Sequence, residues 1–145
     1  MPVFKRYTRR PSLRASHVMS SPPIVVGEEA SIIEAASIMR ERGVGSLIVV
    51  DGRGRIVGVL TERDVINSLA VGKACSGGRV GEVMSRNIIV ASRDESLESV
   101  VEKMREANVR HVPVIDEEGR PVGVISARDI IDLGVSAFRL FVEPG

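Results

Sequence analysis

Two short segments of this chain each place a hydroxyl residue three positions before an aspartate. Thr61 precedes Asp64 and Ser126 precedes Asp129, and an arginine stands directly before each aspartate. One interpretation is a capping box, in which the hydroxyl and the acid satisfy the first backbone amides of a helix. The other is a ligand site, because free amides at a helix N-terminus favour an anion such as phosphate. The aspartate would then accept hydrogen bonds from a vicinal diol such as that of ribose. The residues alone leave both interpretations open.

Both segments belong to a repeat with an offset of 65 residues and no insertion or deletion. Residues 15–66 and 80–131 share 20 identities in 52 aligned positions. Each unit is too small for a good core, so we expect the two to fold against one another around a pseudo-twofold axis, with two equivalent clefts. We divide the chain into a basic arm, a first repeat, a linker, a second repeat and a C-terminal tail, at residues 1–14, 15–70, 71–79, 80–137 and 138–145.

Each repeat is predicted to form a strand, a helix, two strands and a second helix. Ser31 and Glu34 form a capping box ahead of the first helix, whose apolar residues recur at i, i+3, i+4 and i+7. Gly43 and Asn108 stand where this helix and its counterpart should end, and both residue types tolerate a left-handed backbone.

The predicted strands are continuous β-branched runs, which are typical of strands that are covered on both faces. Gly58 and Gly123 fall in the middle of such runs. Glycine weakens a strand unless another group approaches it closely, so we expect a close neighbour at both positions.

The composition argues against several functional classes. The chain has three Phe, one Tyr and no Trp, which is unlike a nucleic-acid stacking platform. Residues 1–14 carry five basic groups and no acid, whereas the remainder has a net charge of −4. A single cysteine, Cys75, fits a reducing cytosol, and no apolar run approaches a membrane span. No catalytic motif is present, and two His with one Cys cannot complete a usual zinc site. We therefore predict a cytoplasmic protein that is not an enzyme and holds no metal.

These motifs occur in the same order in both repeats, and together they resemble a tandem pair of CBS domains. The CBS domain is the cystathionine-β-synthase type regulatory repeat, and a pair of them is called a Bateman module. The resemblance covers about residues 12–137 and rests on Val18-Met19-Ser20, Val83-Met84-Ser85, the run from Arg110 to Asp116, Gly58, Gly123 and the two hydroxyl-aspartate junctions. It implies an α+β fold of two β-α-β-β-α repeats that pack through their sheets with pseudo-twofold symmetry. It also implies a regulatory adenosine ligand (AMP, ADP, ATP or S-adenosylmethionine) in the clefts, and no catalytic cofactor.

Carried over residue by residue, the resemblance implies two sites in which an aspartate holds the ribose. Site A would consist of Val59, Thr61, Arg63, Asp64, Ile88, Ile89, Arg110 and His111. Site B would consist of Pro23, Ile24, Gly45, Ser46, Val124, Ser126, Arg128 and Asp129. Arg110 and His111 correspond to Gly45 and Ser46 in the first repeat, so we expect the Asp64 site to fill first and to prefer phosphorylated ligands.

The resemblance further implies a homodimer, for which Val65, Leu69, Ile130, Leu133 and the apolar tail are the candidate contacts. We expect a stand-alone sensor that signals to an unknown effector protein in trans. The alternatives are a nucleic-acid-associated regulator that uses the basic arm, and an interaction scaffold whose clefts stay empty.

Overall fold

A computed structural model describes residues 13–142 of the chain, which form six helices and six strands. The first half contains α1 (Ala15–Val18), β1 (Val25–Gly27), α2 (Ile32–Arg42), β2 (Ser46–Val50), β3 (Ile56–Thr61) and α3 (Glu62–Ala70). The second half contains α4 (Val80–Val83), β4 (Ala91–Ser92), α5 (Leu97–Ala107), β5 (His111–Ile115), β6 (Pro121–Ser126) and α6 (Ala127–Val142). The predicted α+β fold is confirmed, with an additional short helix at the start of each repeat.

The strands form two three-stranded sheets of the same topology, in the orders β1-β2-β3 and β4-β5-β6. In each sheet the first strand runs parallel to the second, and the second runs antiparallel to the third. The register places Ser46 opposite Thr61, and His111 opposite Ser126. Equivalent strand ends of the two repeats therefore carry the residues singled out from the sequence.

The predicted helix boundaries of α2 and α5 are confirmed by their caps. The Ser31 side chain accepts a hydrogen bond from the backbone of Glu34 at 3.0 Å, and the Glu34 carboxylate accepts one from Ser31 N–H. Gly43 and Asn108 adopt φ angles of 65° and 53° at the C-termini. These left-handed residues end both helices where their residue types predict.

The two halves exchange their first helices. α1 packs in the second core, where Ala15 is fully buried and its N–H donates to Glu95 O at 2.8 Å. α4 packs in the first core, where Val80 is fully buried and its N–H donates to Ala30 O at 2.9 Å. Each core is therefore completed by the opening segment of the other repeat.

The exchange explains the glycines in the middle of β3 and β6. A Cβ atom at Gly58 would lie 2.5 Å from Met84 Sδ, and one at Gly123 would lie 2.5 Å from Met19 Sδ. Both methionines directly follow the exchanged helices. The close neighbour that the sequence predicted at each glycine is thus a methionine from the other repeat.

Three sequence-based expectations need correction. α6 continues without a break through Val142, so residues 138–142 are helical and form no separate tail. Within the expected linker, Ala74 is 2% exposed and belongs to the first core. Val65 also packs in that core and is not available for a dimer contact, because it faces the sheet and not the solvent. Most of the basic arm, residues 1–12, lies outside the described residues.

Candidate functional site

The junction between β3 and α3 is a complete capping box. The backbone N–H of Thr61 donates to Asp64 Oδ2 at 2.8 Å, and Thr61 Oγ1 lies 3.0 Å from the same oxygen. The Asp64 N–H donates to Thr61 Oγ1 at 3.2 Å. The capping-box interpretation therefore applies at this junction, and the Thr61 hydroxyl donates its hydrogen to Asp64 within the box.

The junction between β6 and α6 is similar but leaves its hydroxyl less engaged. Ser126 N–H donates to Asp129 Oδ2 at 3.2 Å, and Asp129 N–H donates to Ser126 Oγ at 3.0 Å. Among residues 13–142, the Ser126 hydroxyl accepts this one hydrogen bond and donates to no group, and Asp129 Oδ1 accepts no hydrogen bond. Both atoms of this half-buried pair therefore remain able to bind a ligand.

The Ser126 cleft, named here after that residue, has a volume of about 350 Å³ and lies between the two repeats. Seven of the eight residues predicted for site B line it, namely Pro23, Ile24, Gly45, Ser46, Val124, Ser126 and Asp129. Arg128 does not line the cleft and is exposed. A carboxylate and a hydroxyl of the second repeat thus face an apolar wall of the first, which suits a ligand with a polar sugar and a flat apolar ring.

The Thr61 cleft is the counterpart in the first repeat and has a volume of about 540 Å³. Six of the eight residues predicted for site A line it, namely Val59, Thr61, Arg63, Ile89, Arg110 and His111. Asp64 does not line this cleft, and Ile88 lines a neighbouring depression beside Lys103 and Glu106. Asp64, the acid expected to hold a ribose, is thus engaged in the capping box and is not part of the lining of this cleft.

The two clefts share a wall. Gly45, Ser46, Val59, His111 and Pro113 line both of them. His111, which was predicted for the Asp64 site, lines both clefts, because the strand end that carries it lies between them. Groups bound in the two clefts would contact the same side chains.

The charges of the two clefts differ. The Thr61 cleft is lined by Arg63, Arg110 and one acid, Glu62. Among the described Asp, Glu, Lys and Arg residues, only Asp129 lines the Ser126 cleft. The first cleft therefore favours an anionic group, and the second favours a neutral or cationic one.

Sequence reasoning missed several lining residues. Ser20 and Pro22 line the Ser126 cleft, and their counterparts Ser85 and Asn87 line the Thr61 cleft. The counterparts are separated by the repeat offset of 65. The two predicted sites are already related to each other by that offset, so the repeat alone could not have identified these positions, although Ser20 and Ser85 belong to the Met-Ser pair that recurs in the sequence.

No helix within residues 13–142 has the length and apolarity needed to cross a bilayer. In the same part of the chain, no three His, Cys, Asp or Glu side chains come together in a way that could hold a metal ion.

Comparison with protein families gives a match to the model described as the CBS domain, at residues 15–71 and 80–136. Over 122 residues the chain is 35% identical to the L-aspartate semialdehyde sulfurtransferase of Methanocaldococcus jannaschii. The match covers 84% of this chain but only 23% of that enzyme, so this chain spans about a quarter of its relative's length.

Two solved structures share the fold at similar identity. The CBS domain pair of protein MJ0100, in complex with 5′-methylthioadenosine and S-adenosyl-L-methionine, superposes with a TM-score of 0.79 at 34% identity. That match covers 88% of this chain and 99% of the other. The cytosolic domain of the Mg²⁺ channel MgtE, in complex with ATP, gives a TM-score of 0.72 at 30% identity, over 83% of this chain and 48% of the other.

Proposed function

Because this chain belongs to the CBS-domain family, we propose that it is a regulatory module that binds adenosine-containing ligands in its two clefts. The observation that carries the proposal is the Ser126 cleft, in which a free hydroxyl and a free carboxylate oxygen face an apolar wall. The carboxylate would accept hydrogen bonds from the ribose hydroxyls. The adenine would lie between Val124 and the apolar residues of the first repeat.

The charge difference between the clefts supports a division of ligands. A phosphorylated nucleotide would bind in the Thr61 cleft, where Arg110 and Arg63 can bind phosphate. A neutral or cationic adenosyl compound, such as methylthioadenosine or S-adenosylmethionine, would bind in the Ser126 cleft beside Asp129. The shared His111 would contact ligands in both clefts.

The two solved relatives give this proposal independent support. One is a CBS pair with methylthioadenosine and S-adenosylmethionine, and the other is a channel domain with ATP. We propose that occupancy is passed to an effector protein, because in the sulfurtransferase the matching segment makes up only 23% of a much larger chain.

A thermal-shift panel with AMP, ADP, ATP, S-adenosylmethionine and methylthioadenosine tests the proposal. A ligand at 100 times its Kd stabilises the folded state by about 2.7 kcal/mol, which raises the Tm of a chain of this size by about 5–10 °C. At least one of these compounds should produce such a shift. If none does at millimolar concentration, the clefts are empty and the scaffold alternative is correct.

Titration calorimetry of variants then separates the clefts. Asp129→Asn keeps the size and one acceptor of the cap, yet it should weaken S-adenosylmethionine about 10- to 150-fold, since a hydrogen bond to a charged group contributes about 1.5–3 kcal/mol. Arg110→Ala should weaken ATP and leave S-adenosylmethionine unchanged, whereas His111→Ala should weaken both. Asp94→Asn is the matched control, because the Asp94 side chain is 86% exposed and lines neither cleft. If Asp129→Asn binds every ligand as the control does, the aspartate is only a cap.

A further inference from the structure

The Thr61 cleft contains one acid, Glu62, among its basic side chains. Arg63 and Arg110 line the same cleft, and all three side chains are exposed. The salt bridges between residues 13–142 involve other residues, so the Glu62 carboxylate is paired with neither arginine. The three charged groups therefore remain available to a ligand, and they present it with charges of both signs.

A glycine leaves space for the Glu62 carboxylate. At the start of α3, Glu62 N–H donates to Gly45 O at 3.0 Å. A Cβ atom at Gly45 would lie 3.2 Å from Glu62 Oε1, which is closer than the ordinary contact that begins at 3.4 Å. The carboxylate therefore lies against a position that has no side chain. Because Gly45 lines both clefts, this places the negative charge beside the wall that the two clefts share.

The second repeat has the opposite combination of side chains at the equivalent positions. Ala127 corresponds to Glu62, and Arg110 corresponds to Gly45, at the repeat offset of 65. The backbone contact is the same, because Ala127 N–H donates to Arg110 O at 2.8 Å. Each repeat thus pairs one long charged side chain with one short one. Both long side chains, the anion of Glu62 and the cation of Arg110, line the Thr61 cleft, and neither lines the Ser126 cleft.

This arrangement is unfavourable for a free polyphosphate and favourable for its magnesium complex. Phosphates bound by Arg63 and Arg110 bring negative charge into the cleft that holds the Glu62 carboxylate, and the repulsion grows with the number of phosphates. Magnesium binds one or two carboxylates together with phosphate oxygens and keeps several of its waters, so it turns this repulsion into attraction. No three His, Cys, Asp or Glu side chains of residues 13–142 come together to hold a metal ion by themselves. A metal at Glu62 therefore has to enter the cleft with the nucleotide.

We propose that Glu62 binds a magnesium ion that is carried into the Thr61 cleft by a nucleoside di- or triphosphate. The carboxylate contacts the ion directly or through one of its waters, while Arg63 and Arg110 bind the phosphates. The ligand of this cleft is then the magnesium complex and not the free polyphosphate, whereas a monophosphate binds to the arginines without a metal. The proposal rests on the function proposed above, because it requires a nucleotide in this cleft.

Titration calorimetry with ATP, in excess magnesium chloride and again in EDTA, tests the proposal. The wild type should bind ATP about 10-fold more tightly with magnesium than without it. Glu62→Gln keeps the size of the side chain and removes its charge. This variant should bind metal-free ATP about 10-fold more tightly than the wild type does, and magnesium should no longer improve its affinity.

Two controls accompany this titration. AMP should bind equally well with and without magnesium in both proteins. Glu98→Gln is the matched variant, because Glu98 is also an exposed acid in the first turn of a helix but lines neither cleft. It should show the magnesium dependence of the wild type. Circular dichroism spectra that match the wild type verify that both variants are folded.

Two results would overturn this proposal and leave the proposed function intact. In the first, AMP and ATP bind and Arg110→Ala weakens both, yet the wild type has the same Kd for ATP with and without magnesium. In the second, Glu62→Gln keeps the magnesium dependence of the wild type. A third result, in which no adenine nucleotide binds under either condition, would refute the nucleotide function of the Thr61 cleft and the role of Glu62 together.

Discussion

Replacing Gly58 with alanine should destabilise the protein through the helix exchange. A Cβ atom at Gly58 would lie 2.5 Å from Met84 Sδ and 2.9 Å from the backbone oxygen of Ser85, whereas ordinary contact begins at 3.4 Å. That oxygen accepts a hydrogen bond from Val59 N–H at 3.0 Å, and the Ser85 N–H donates to Val59 O at 2.9 Å. A methionine can rotate away, but the backbone oxygen cannot move without straining both hydrogen bonds.

The magnitude follows from these contacts. Overpacking of a dense core costs about 1–3 kcal/mol, and each strained hydrogen bond adds up to about 0.5–1.5 kcal/mol. The lower entropy of the unfolded alanine variant offsets about 0.4–1 kcal/mol. The free energy of unfolding should therefore fall by about 2–4 kcal/mol, which corresponds to a Tm lower by about 6–12 °C for a chain of this length.

Urea and thermal unfolding measure the change, and Gly27→Ala is the matched control. Gly27 is also a strand residue, but a Cβ atom there would meet nothing within 4 Å. The control should unfold like the wild type or at slightly higher urea. The double variant Gly58→Ala with Met84→Ala should lose less stability than the sum of the two single variants, because Met84→Ala removes the side chain with which the new Cβ atom would clash. If Gly58→Ala unfolds at the same urea concentration and temperature as Gly27→Ala, Met84 and Ser85 do not contact β3 as closely as the distances above require.

Two further predictions concern the cores and their pH dependence. Val80→Ala should lower the free energy of unfolding by about 2 kcal/mol. It should also speed amide hydrogen exchange in α2 and β2, although Val80 lies in the second repeat of the sequence. Faster hydrogen exchange confined to α5 and β5 would contradict the packing of α4 in the first core. Burial opposes ionisation of Glu95, but hydrogen bonds from Lys103 Nζ and Ser99 Oγ, both at 2.8 Å, outweigh it and lower the pKa of the carboxyl. A lowered pKa contributes stability that is present at neutral pH and lost as the pH falls below about 5. Glu95→Gln should therefore lose less stability than the wild type between about pH 5 and pH 3 in acid titrations followed by circular dichroism, and equal losses would show that the ion pair has no such role.

Most of the local structure follows from residues that are close in sequence. Ser31 with Glu34 starts α2, and Gly43 ends it, because caps satisfy backbone groups within about four positions. The offset of 65 residues predicted two equivalent sheets and two clefts. Seven of the eight residues predicted around Ser126 do line its cleft, because equivalent strand ends of two similar sheets meet there.

The remaining features depend on contacts that no local pattern specifies. Val80 is an apolar residue that either core could accommodate, since both cores contain Val, Ile and Met. Only the packed structure decides that α4 enters the first core, and that His111 stands between the clefts. Asp64 and Asp129 occupy equivalent positions in the sequence and both form capping boxes, but in the folded structure only Asp129 lines a cleft. Caps and periodicity are short-range properties of one segment, whereas these choices depend on which distant segments fill the same space.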